Sequence, residues 1–198
     1  MSAAAGAGPR GPGRPRSRES WSAILDVAAE LLERDGYLKL SLDTVAARAG
    51  VSKRTIYRWW PSKGALAIEA YLAVAADRLT VPDTGSLRED LERYARDFVG
   101  LLTETATART VAGLVAASFD DPELARAFRE DFLGGRRAAA GEIFERARER
   151  GELRADADIG AALDDFFAPL WYRALFTGAA LDGPYAADLA DRLTAAYS

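Results

Sequence analysis

The 198-residue chain is predicted to fold as an all-α protein of about nine helices. Apolar residues recur at spacings of three and four along most of the chain, and serine, aspartate, proline and glycine stand where helices would begin and end. No stretch alternates apolar and polar residues as a half-buried strand does. We divide the chain into a basic arm (residues 1–18), a first helical domain (19–65) and a larger second helical domain (66–198).

The composition excludes several functional classes. The sequence contains no cysteine and no histidine, which rules out disulfides, thiol redox sensing, Cys/His zinc sites and histidine-based catalysis. No carboxylate pair, glycine-rich phosphate loop or metal-ligand spacing stands out, so we expect neither an enzyme nor a bound cofactor. No apolar segment is long enough to cross a bilayer and no secretory signal is apparent, so we expect a soluble, cytoplasmic protein.

Charge is divided unevenly along the chain. The net charge is −4, but residues 1–65 carry 11 Lys/Arg against 6 Asp/Glu, which leaves 15 against 24 for the remainder. The N-terminal third is therefore net basic by five charges and the rest net acidic by nine. This asymmetry predicts that the N-terminal part meets a polyanion.

The arm contains four arginines and no acidic residue among Ala, Gly, Pro and Ser. Such a segment buries too little apolar surface to offset its ordering entropy, so we expect it to be disordered. Its Gly13-Arg14-Pro15-Arg16 resembles the core of an AT-hook, in which an extended arginine enters a narrow minor groove. A basic tail without groove specificity is the alternative.

The first domain is predicted to contain three helices, at about 20–35, 41–49 and 52–60, with Gly36 and Gly50 as helix stops and Pro61 ending the third. Serines cap the second and third helices. The core side of the first helix is predicted to comprise Trp21, Ile24, Leu25, Ala28, Leu31 and Leu32. Two short helices joined by a glycine turn are typical of a helix-turn-helix unit.

The third helix has two distinct faces. Ile56 and Trp60, four residues apart, form an apolar side, whereas Lys53, Arg54, Tyr57 and Arg58 point away from it. A basic outward face suits phosphates and base edges in a major groove. The alternative is an ordinary solvated basic surface.

Residues 19–66 resemble the DNA-binding domain of the tetracycline-repressor (TetR) family of transcriptional regulators, most clearly in SLDTVAARAGVSKRTIYRWWPSKGAL at 41–66. The family usually has phenylalanine at the position of Trp60, which implies that Trp60 is core. The resemblance, with the arm and the basic face, implies a double-stranded operator as partner and the following DNA-binding residues: Arg14, Arg16, Ser41, Thr44, Ser52, Lys53, Arg54, Thr55, Tyr57, Arg58, Trp59 and Lys63.

The second domain begins with a linking helix at about 62–79 and a turn-rich connection at 80–85. Further helices are predicted from Ser86, with an apolar stripe that continues to Leu101, and at about 106–119, 122–150, 158–177 and 184–197. Gly134-Gly135 is expected to bend or interrupt the third of these and Pro169 to bend the fourth. Three stretches of this domain, at 121–132, 150–158 and 166–178, resemble the regulatory half of one TetR-family subgroup, which implies ligand binding and dimerisation through the last two long helices.

The aromatic residues of this domain, Phe119 among them, have two open interpretations: they fill a core, or some of them line a ligand cavity. The candidate pocket residues are Tyr94, Phe98, Leu102, Val111, Leu114, Val115, Ser118, Phe128, Phe132, Phe144, Phe166 and Leu170. We expect a mostly apolar, aromatic or cationic organic effector, oriented by groups such as Tyr94, Thr107, Ser118, Tyr172 or Arg173. The 158–177 helix has more apolar surface than one face needs, so we assign Phe167, Trp171, Leu175, Leu189 and Leu193 to a homodimer interface.

Together these patterns predict a homodimeric DNA-binding regulator, most plainly a repressor released from a pseudo-palindromic operator by a small apolar ligand. Two other classes stay open at this point. One is an architectural DNA-binding dimer without an effector, and the other is a helical enzyme or carrier that uses the same cavity. Ligand-dependent release from DNA would distinguish the first alternative, and absence of salt-dependent DNA binding would indicate the second.

Overall fold

The computed structural model describes residues 14–76 and 78–198, and all the regular structure in these two ranges is helical. The α-helices are α1 (Arg14–Asp35), α2 (Leu42–Arg48), α3 (Lys53–Trp59), α4 (Lys63–Ala76), α5 (Leu87–Glu104), α6 (Thr107–Ser118), α7 (Pro122–Ala127), α8 (Gly134–Glu149), α9 (Ile159–Tyr172) and α10 (Gly183–Tyr197). Because α7 and α8 are continuous through a π-helical turn, the described chain forms nine helical rods, and the predicted fold class is confirmed.

The first helix begins earlier than predicted. α1 starts at Arg14 rather than near Ser20, so Arg14 and Arg16 lie in its first turn and the extended backbone expected for these two arginines is wrong. Pro15 is compatible with this start, because the first turn of a helix has no intrahelical acceptor for a backbone N–H. Residues 1–13, which include the glycine of the AT-hook-like motif, lie outside the described part of the chain.

The core of the first domain forms where α1 packs on α4. Ile24, Ala28 and Leu31 of α1 are buried there as predicted. Trp21 is the exception: 39% of it is exposed, although its ring stacks on that of Trp60 with centroids 6.3 Å apart. It covers the edge of the core rather than filling it.

The long helix predicted over 122–150 has a π-helical turn, Phe128–Leu133, between α7 and α8. This turn ends immediately before Gly134, where an interruption was expected. Phe128 and Phe132 are buried and stack with their ring centroids 4.8 Å apart. π-helical turns add a residue and often occur at functional sites. Phe132 and Leu133 of this turn line the cavity described below.

The end of α9 also departs from regular α geometry. Pro169 lies inside α9, and a second π-helical turn, Arg173–Thr177, continues the helix to Gly178, whose φ is +61°. Phe119, one of the aromatics considered as core or cavity wall, is 85% exposed at the end of α6. Within the described subunit it therefore belongs to neither the core nor the cavity wall.

A buried carboxylate holds the connection between α4 and α5. Asp90 is fully buried, and its Oδ1 accepts hydrogen bonds from the Thr84 N–H at 2.7 Å and from the Thr84 hydroxyl at 2.8 Å. Arg150 lies 3.9 Å from the other carboxylate oxygen. Charged hydrogen bonds of this kind compensate part of the cost of burying the carboxylate and fix where α5 begins.

Candidate DNA-binding surface and ligand cavity

Local capping shapes the helix-turn-helix unit. The Ser41 hydroxyl accepts the Thr44 N–H at the start of α2, and the Ser52 hydroxyl accepts the Thr55 N–H at 3.2 Å at the start of α3. Between the two helices Gly50 has a φ of +66°, the left-handed geometry that a glycine adopts without strain. The predicted caps and turn are therefore present.

Trp60 fixes α3 against the rest of the first domain. It is 2% exposed, its ring meets that of Trp59 edge-on at 5.7 Å, and its indole Nε1 donates a hydrogen bond to Glu69 of α4. Ile56 is fully buried on the same side. The apolar side of α3 was predicted correctly, and its burial leaves the basic side facing outward.

The outward face of α3 carries Lys53, Arg54, Tyr57 and Arg58, all of which are exposed. Lys53 is paired with α2, because its Nζ lies 3.0 Å from Asp43 Oδ1. The hydrogen bond and the charge of Asp43 raise the pKa of Lys53. The guanidinium of Arg58 lies over the half-buried Trp59 ring, 4.7 Å from its centroid.

The remaining residues assigned to DNA occupy varied positions. Thr44 is exposed, whereas the Ser52 hydroxyl lies 3.1 Å from that of Thr55, so these two groups already bond each other. Lys63 differs from expectation. Its ammonium lies 4.4 Å from the centroid of the Tyr37 ring and 3.4 Å from the Tyr37 carbonyl, and burial lowers the pKa of Lys63. A phosphate contact by Lys63 would require this side chain to leave Tyr37.

A cavity of about 260 Å³ opens among the helices of the second domain. Aromatic rings from four elements form most of its wall: Tyr71 of α4, Phe98 of α5, Phe132 of the first π turn, and Phe167 and Trp171 of α9. The rest of the lining comprises Leu133, Arg136, Arg137, Asp164 and Ala168. Its size is slightly below the range of about 300–1,000 Å³ typical of small-molecule sites.

Two of the predicted pocket residues, Phe98 and Phe132, line this cavity. The other predicted pocket residues do not: Tyr94, Leu102, Val111, Leu114, Phe128, Phe144, Phe166 and Leu170 are buried in the surrounding core, and Val115 and Ser118 are half-buried on α6. For these ten positions the core interpretation was the better one. Periodicity located the buried side of each helix but not which buried residue borders the free volume.

The polar groups expected to orient an effector are also elsewhere. Tyr172 is 59% exposed on the outside of α9, and Arg173 donates to the Ala180 carbonyl at 2.6 Å. The Ser118 hydroxyl donates to the Val115 carbonyl in its own helix. Thr107 is buried at the start of α6, where its hydroxyl lies 2.7 Å from that of Thr105.

The residues assigned to a dimer interface lie in different places, and their assignment stays a prediction. Phe167 and Trp171 face the cavity within the subunit, and Leu175 is half-buried. Leu189 and Leu193 are buried, forming the floor of a groove between α9 and α10. The outer side of α9 instead exposes Tyr172 and Phe176, whose rings stack at 6.0 Å. Both sides of α9 are apolar, so the sequence could not tell which one faces inward.

Sequence reasoning missed Tyr71, Leu133, Arg136, Arg137, Asp164 and Ala168 as cavity residues. A signal existed for Arg136, which stands four residues before Ala140 and eight before Phe144, both buried on the inner stripe of α8. An arginine on a core-facing stripe is unusual, because burying its charge is costly unless a partner compensates it.

Within residues 14–76 and 78–198, no helix is both long and apolar enough to cross a bilayer. The same ranges contain no cluster of three or more acidic side chains arranged to hold a metal ion.

Comparison with known proteins identifies the chain at the level of family. Residues 24–70 match the family described as "Bacterial regulatory proteins, tetR family", and residues 81–193 match "Tetracyclin repressor-like, C-terminal domain". The chain belongs to the TetR family. It is thus a helix-turn-helix transcriptional regulator that binds DNA through its N-terminal domain, and not an enzyme.

Several relatives support this assignment over nearly the full chain. The uncharacterized HTH-type transcriptional regulator YdeS of Bacillus subtilis (strain 168) is 38% identical over 89% of each chain. The DNA-binding transcriptional repressor TetR of Mycobacteroides abscessus is 36% identical, covering 86% of this chain and 89% of its own. The crystal structure of the TetR-family regulator SCO0332 superposes with a TM-score of 0.81 at 36% identity, covering 89% of this chain and 97% of that one.

Proposed function

We propose that this TetR-family regulator is a homodimeric repressor whose release from a pseudo-palindromic operator is controlled by a small organic ligand in the 260 Å³ cavity. In this proposal α3 enters the major groove, where Lys53, Arg54 and Thr55 read base edges. Ser52, Tyr57 and Arg58 hold phosphates beside them. The 36% identity to a protein described as a transcriptional repressor supports the negative direction of control.

The observation that carries the proposal is the position of Tyr71. α4 packs on α1, and its N-terminal half contains the buried Ile68, which is 2% exposed. One turn further along the same helix, Tyr71 forms part of the cavity wall and lies 4.9 Å from Phe132, centroid to centroid. A ligand that displaces Tyr71 therefore acts on the helix that supports the DNA-binding domain.

A second contact joins the two domains at the start of α4. Leu124 of α7 packs against Gly64 so closely that a methyl group built on the glycine would overlap its Cδ1 atom. The ligand-binding domain thus contacts α4 near its start, at Gly64, and in its middle, at Tyr71. A ligand changes DNA binding only if its affinity differs between the DNA-bound and released arrangements, and these contacts are where such a difference would arise.

Selection of bound DNA from a random pool tests the DNA-binding part of the proposal. We expect an inverted repeat whose half-site centres are about 34–36 Å apart or somewhat more. Arg54→Ala should change the preferred bases within each half-site, at about 1–3 kcal/mol for a bidentate contact. If Arg54→Ala bound the same sequences with the same affinity as the wild type, α3 would not be the reader.

The selected operator then tests ligand control. A compound library is screened for release of the protein from labelled operator, and hits are repeated on a reporter gene downstream of that operator. Release accompanied by increased transcription supports a ligand-controlled repressor, and release with decreased transcription indicates an activator. Tight operator binding that no compound relieves would favour the architectural dimer without an effector.

A further inference from the structure

The cavity contains a positive charge with no compensating acid. Arg136 lies on the inner stripe of α8, and its Nε and Nη2 atoms are fully buried without a hydrogen bond of normal geometry to any residue in 14–76 or 78–198. These two atoms form one edge of the guanidinium, which presents two parallel N–H groups. An unpaired donor edge in a low-dielectric interior is costly, so it would gain strongly from an anionic acceptor.

The other arginines of α8 each have at least one polar partner, although the buried Nε of Arg146, which lies 3.6 Å from Asp83, also makes no hydrogen bond within the described residues. Arg137 pairs with Asp164 and donates to the Gly160 carbonyl at 3.0 Å. Arg148 donates to the Ala157 carbonyl at 3.0 Å, and Arg146 to that of Pro82. Asp164, the acidic residue of the cavity lining, is largely exposed and occupied by Arg137, so it does not neutralise Arg136.

Two tyrosine hydroxyls complete a group of donors around Arg136. Tyr71 and Tyr94 are buried, and within the described residues neither hydroxyl makes a hydrogen bond of normal geometry, although Arg136 lies near enough to interact with both hydroxyls and Thr107 with that of Tyr71. Burial raises the pKa of both hydroxyls, and the positive charge of nearby Arg136 opposes that rise. Both phenols are therefore protonated at neutral pH and able to donate. The Tyr71 ring also lies under the Arg136 guanidinium, 5.7 Å from centroid to carbon.

The rest of the wall is apolar. Phe98, Phe132, Phe167 and Trp171 present ring faces and edges to the free volume, with Phe98 meeting Trp171 edge-on at 5.6 Å. A ligand that fits this wall needs an apolar or aromatic body, and its small volume excludes long chains unless the cavity expands.

We propose that the effector is a small organic carboxylate with an apolar or aromatic body, whose carboxylate binds the Nε–Nη2 edge of Arg136 beside the Tyr71 hydroxyl. This inference rests on the proposed ligand-responsive function and names the chemistry of its ligand. It excludes the cationic effectors that the sequence had left open, because a cation would lie beside the positive charge of Arg136. A planar carboxylate matches the two N–H groups of that edge in a bidentate geometry.

The geometry also assigns Arg136 a part in signalling. Its guanidinium lies on Tyr71 of α4, so a carboxylate drawn to Arg136 meets the side chain that connects the cavity to the DNA-binding domain. The free energy gained when the ligand carboxylate binds Arg136 would thereby affect the position of α4.

The test uses two matched sets of probes and calorimetry on the full-length protein without DNA. One set comprises 2-naphthoate, 2-naphthamide and 2-naphthylmethylammonium, and the other 4-phenylbutanoate, 4-phenylbutanamide and 4-phenylbutylammonium. Within a set the body is nearly constant and only the charge of the head changes. We expect a carboxylate of at least one set to bind about tenfold or more tightly than its amide, and the ammonium to bind weakest.

Two substitutions show whether Arg136 causes this preference. Arg136→Met keeps the length of the side chain and removes the charge, so carboxylate and amide should then bind with similar affinity. Arg136→Lys keeps the charge without the two-pronged edge and should lose part of the preference, and it carries the test if the methionine variant does not fold. Arg129→Met, at an exposed arginine one residue after Phe128, is the matched control and should keep the wild-type preference.

Three results would overturn the inference. They are an amide or ammonium that binds wild type as tightly as its carboxylate, a carboxylate preference that persists in Arg136→Met, or no carboxylate of either set binding below about 1 mM. Operator release is measured separately with the same compounds. Carboxylates that bind without releasing DNA would refute the proposed function and leave the ligand class intact. Release of DNA by neutral or cationic compounds alone would refute the carboxylate class and leave the proposed function intact.

Discussion

Glu33 of α1 and Arg109 of α6 cap each other's helices across the boundary between the two domains. The Glu33 carboxylate accepts the Ala106 N–H at 3.0 Å, at the start of α6, where the N-cap residue Ala106 has no side-chain acceptor. In return, Arg109 Nη2 donates to the Glu33 carbonyl at 2.5 Å and to the Arg34 carbonyl at 3.2 Å, in the last turn of α1. Helix ends have unpaired groups of this kind, and here each helix supplies what the other lacks.

Glu33→Ala should therefore destabilise the protein by about 1 kcal/mol, within the range measured for lost helix caps. Glu33→Gln retains an acceptor oxygen and should cost less. Urea unfolding of both variants gives the comparison. Because the contact joins the domains, Glu33→Ala should also reduce the extent to which a ligand weakens operator binding. An unchanged free energy of unfolding in Glu33→Ala would show that the reciprocal caps contribute nothing.

Asp43→Asn should strengthen binding to DNA in general. The substitution releases Lys53 from the 3.0 Å ion pair and removes a negative charge beside the surface proposed to face phosphates. The gain should be small, as expected for an exposed ion pair, and should shrink as salt increases. Operator titrations at several salt concentrations measure it. Asp43→Asn in a Lys53→Met background isolates the part of the affinity gain that acts through Lys53. An equal gain with and without Lys53 would show that release of Lys53 is not the cause.

The contact between Gly64 and Leu124 predicts a non-additive pair of substitutions. Gly64→Ala should cost about 1–3 kcal/mol through overpacking, despite a helix-propensity gain of about 1 kcal/mol. Leu124→Ala should cost about 2–5 kcal/mol, because Leu124 is 2% exposed. In the double variant the new methyl group occupies space vacated by Leu124, so the combined loss should be smaller than the sum. Chemical unfolding of all four proteins tests this, and simple additivity would refute the close packing.

The outer side of α9 should mediate dimerisation. Tyr172→Glu together with Phe176→Glu places two charges on this exposed aromatic surface and should yield monomers in sedimentation experiments, with much weaker operator binding. Phe119→Glu changes an even more exposed aromatic on α6 and serves as the control that should leave the oligomeric state unchanged. A monomeric wild type, or a dimer that survives the double substitution, would place the interface elsewhere.

The hydrogen bond from the Tyr197 hydroxyl to Asp165, at 2.6 Å, should make stability fall at alkaline pH. This bond, with burial, raises the pKa of Tyr197 from 10.0 to about 12. A raised folded-state pKa means that the contribution is fully present below the unfolded value of 10.0 and is lost as the pH rises through about 12. Unfolding free energies at pH 8 and above pH 10 test this. At the lower pH, wild type should be more stable than Tyr197→Phe by about 1.5–3 kcal/mol.

Comparison with Tyr197→Phe isolates this bond from other tyrosines that ionise in the same range. Tyr57→Phe, at an exposed position, should show little difference from wild type at either pH. If the advantage of wild type over Tyr197→Phe were the same at both pH values, the bond to Asp165 would not be its source.

Much of the first domain was predictable because its signals are local. Ser41 and Ser52 cap helices that begin within three residues of them, and Gly50 makes a turn that few other residues adopt. The two faces of α3 follow from the spacing of Ile56 and Trp60. The apolar side of α3 is buried against the rest of the first domain, so the basic side faces outward. The early start of α1 was missed, since the composition around Arg14 favours disorder and a proline is equally at home in a first helical turn.

The sequence by itself determined the helices, their caps, the basic face of α3 and the family. Only the tertiary structure decided which side of α9 lines the cavity, so that Phe167 and Trp171 face inward while Tyr172 and Phe176 remain outside. Likewise, only packing brings Arg136 of α8 beside Tyr71 of α4. Helical periodicity reports which side of a helix is apolar, but a cavity forms where side chains distant in sequence fail to fill the space between helices, and that depends on all their shapes together.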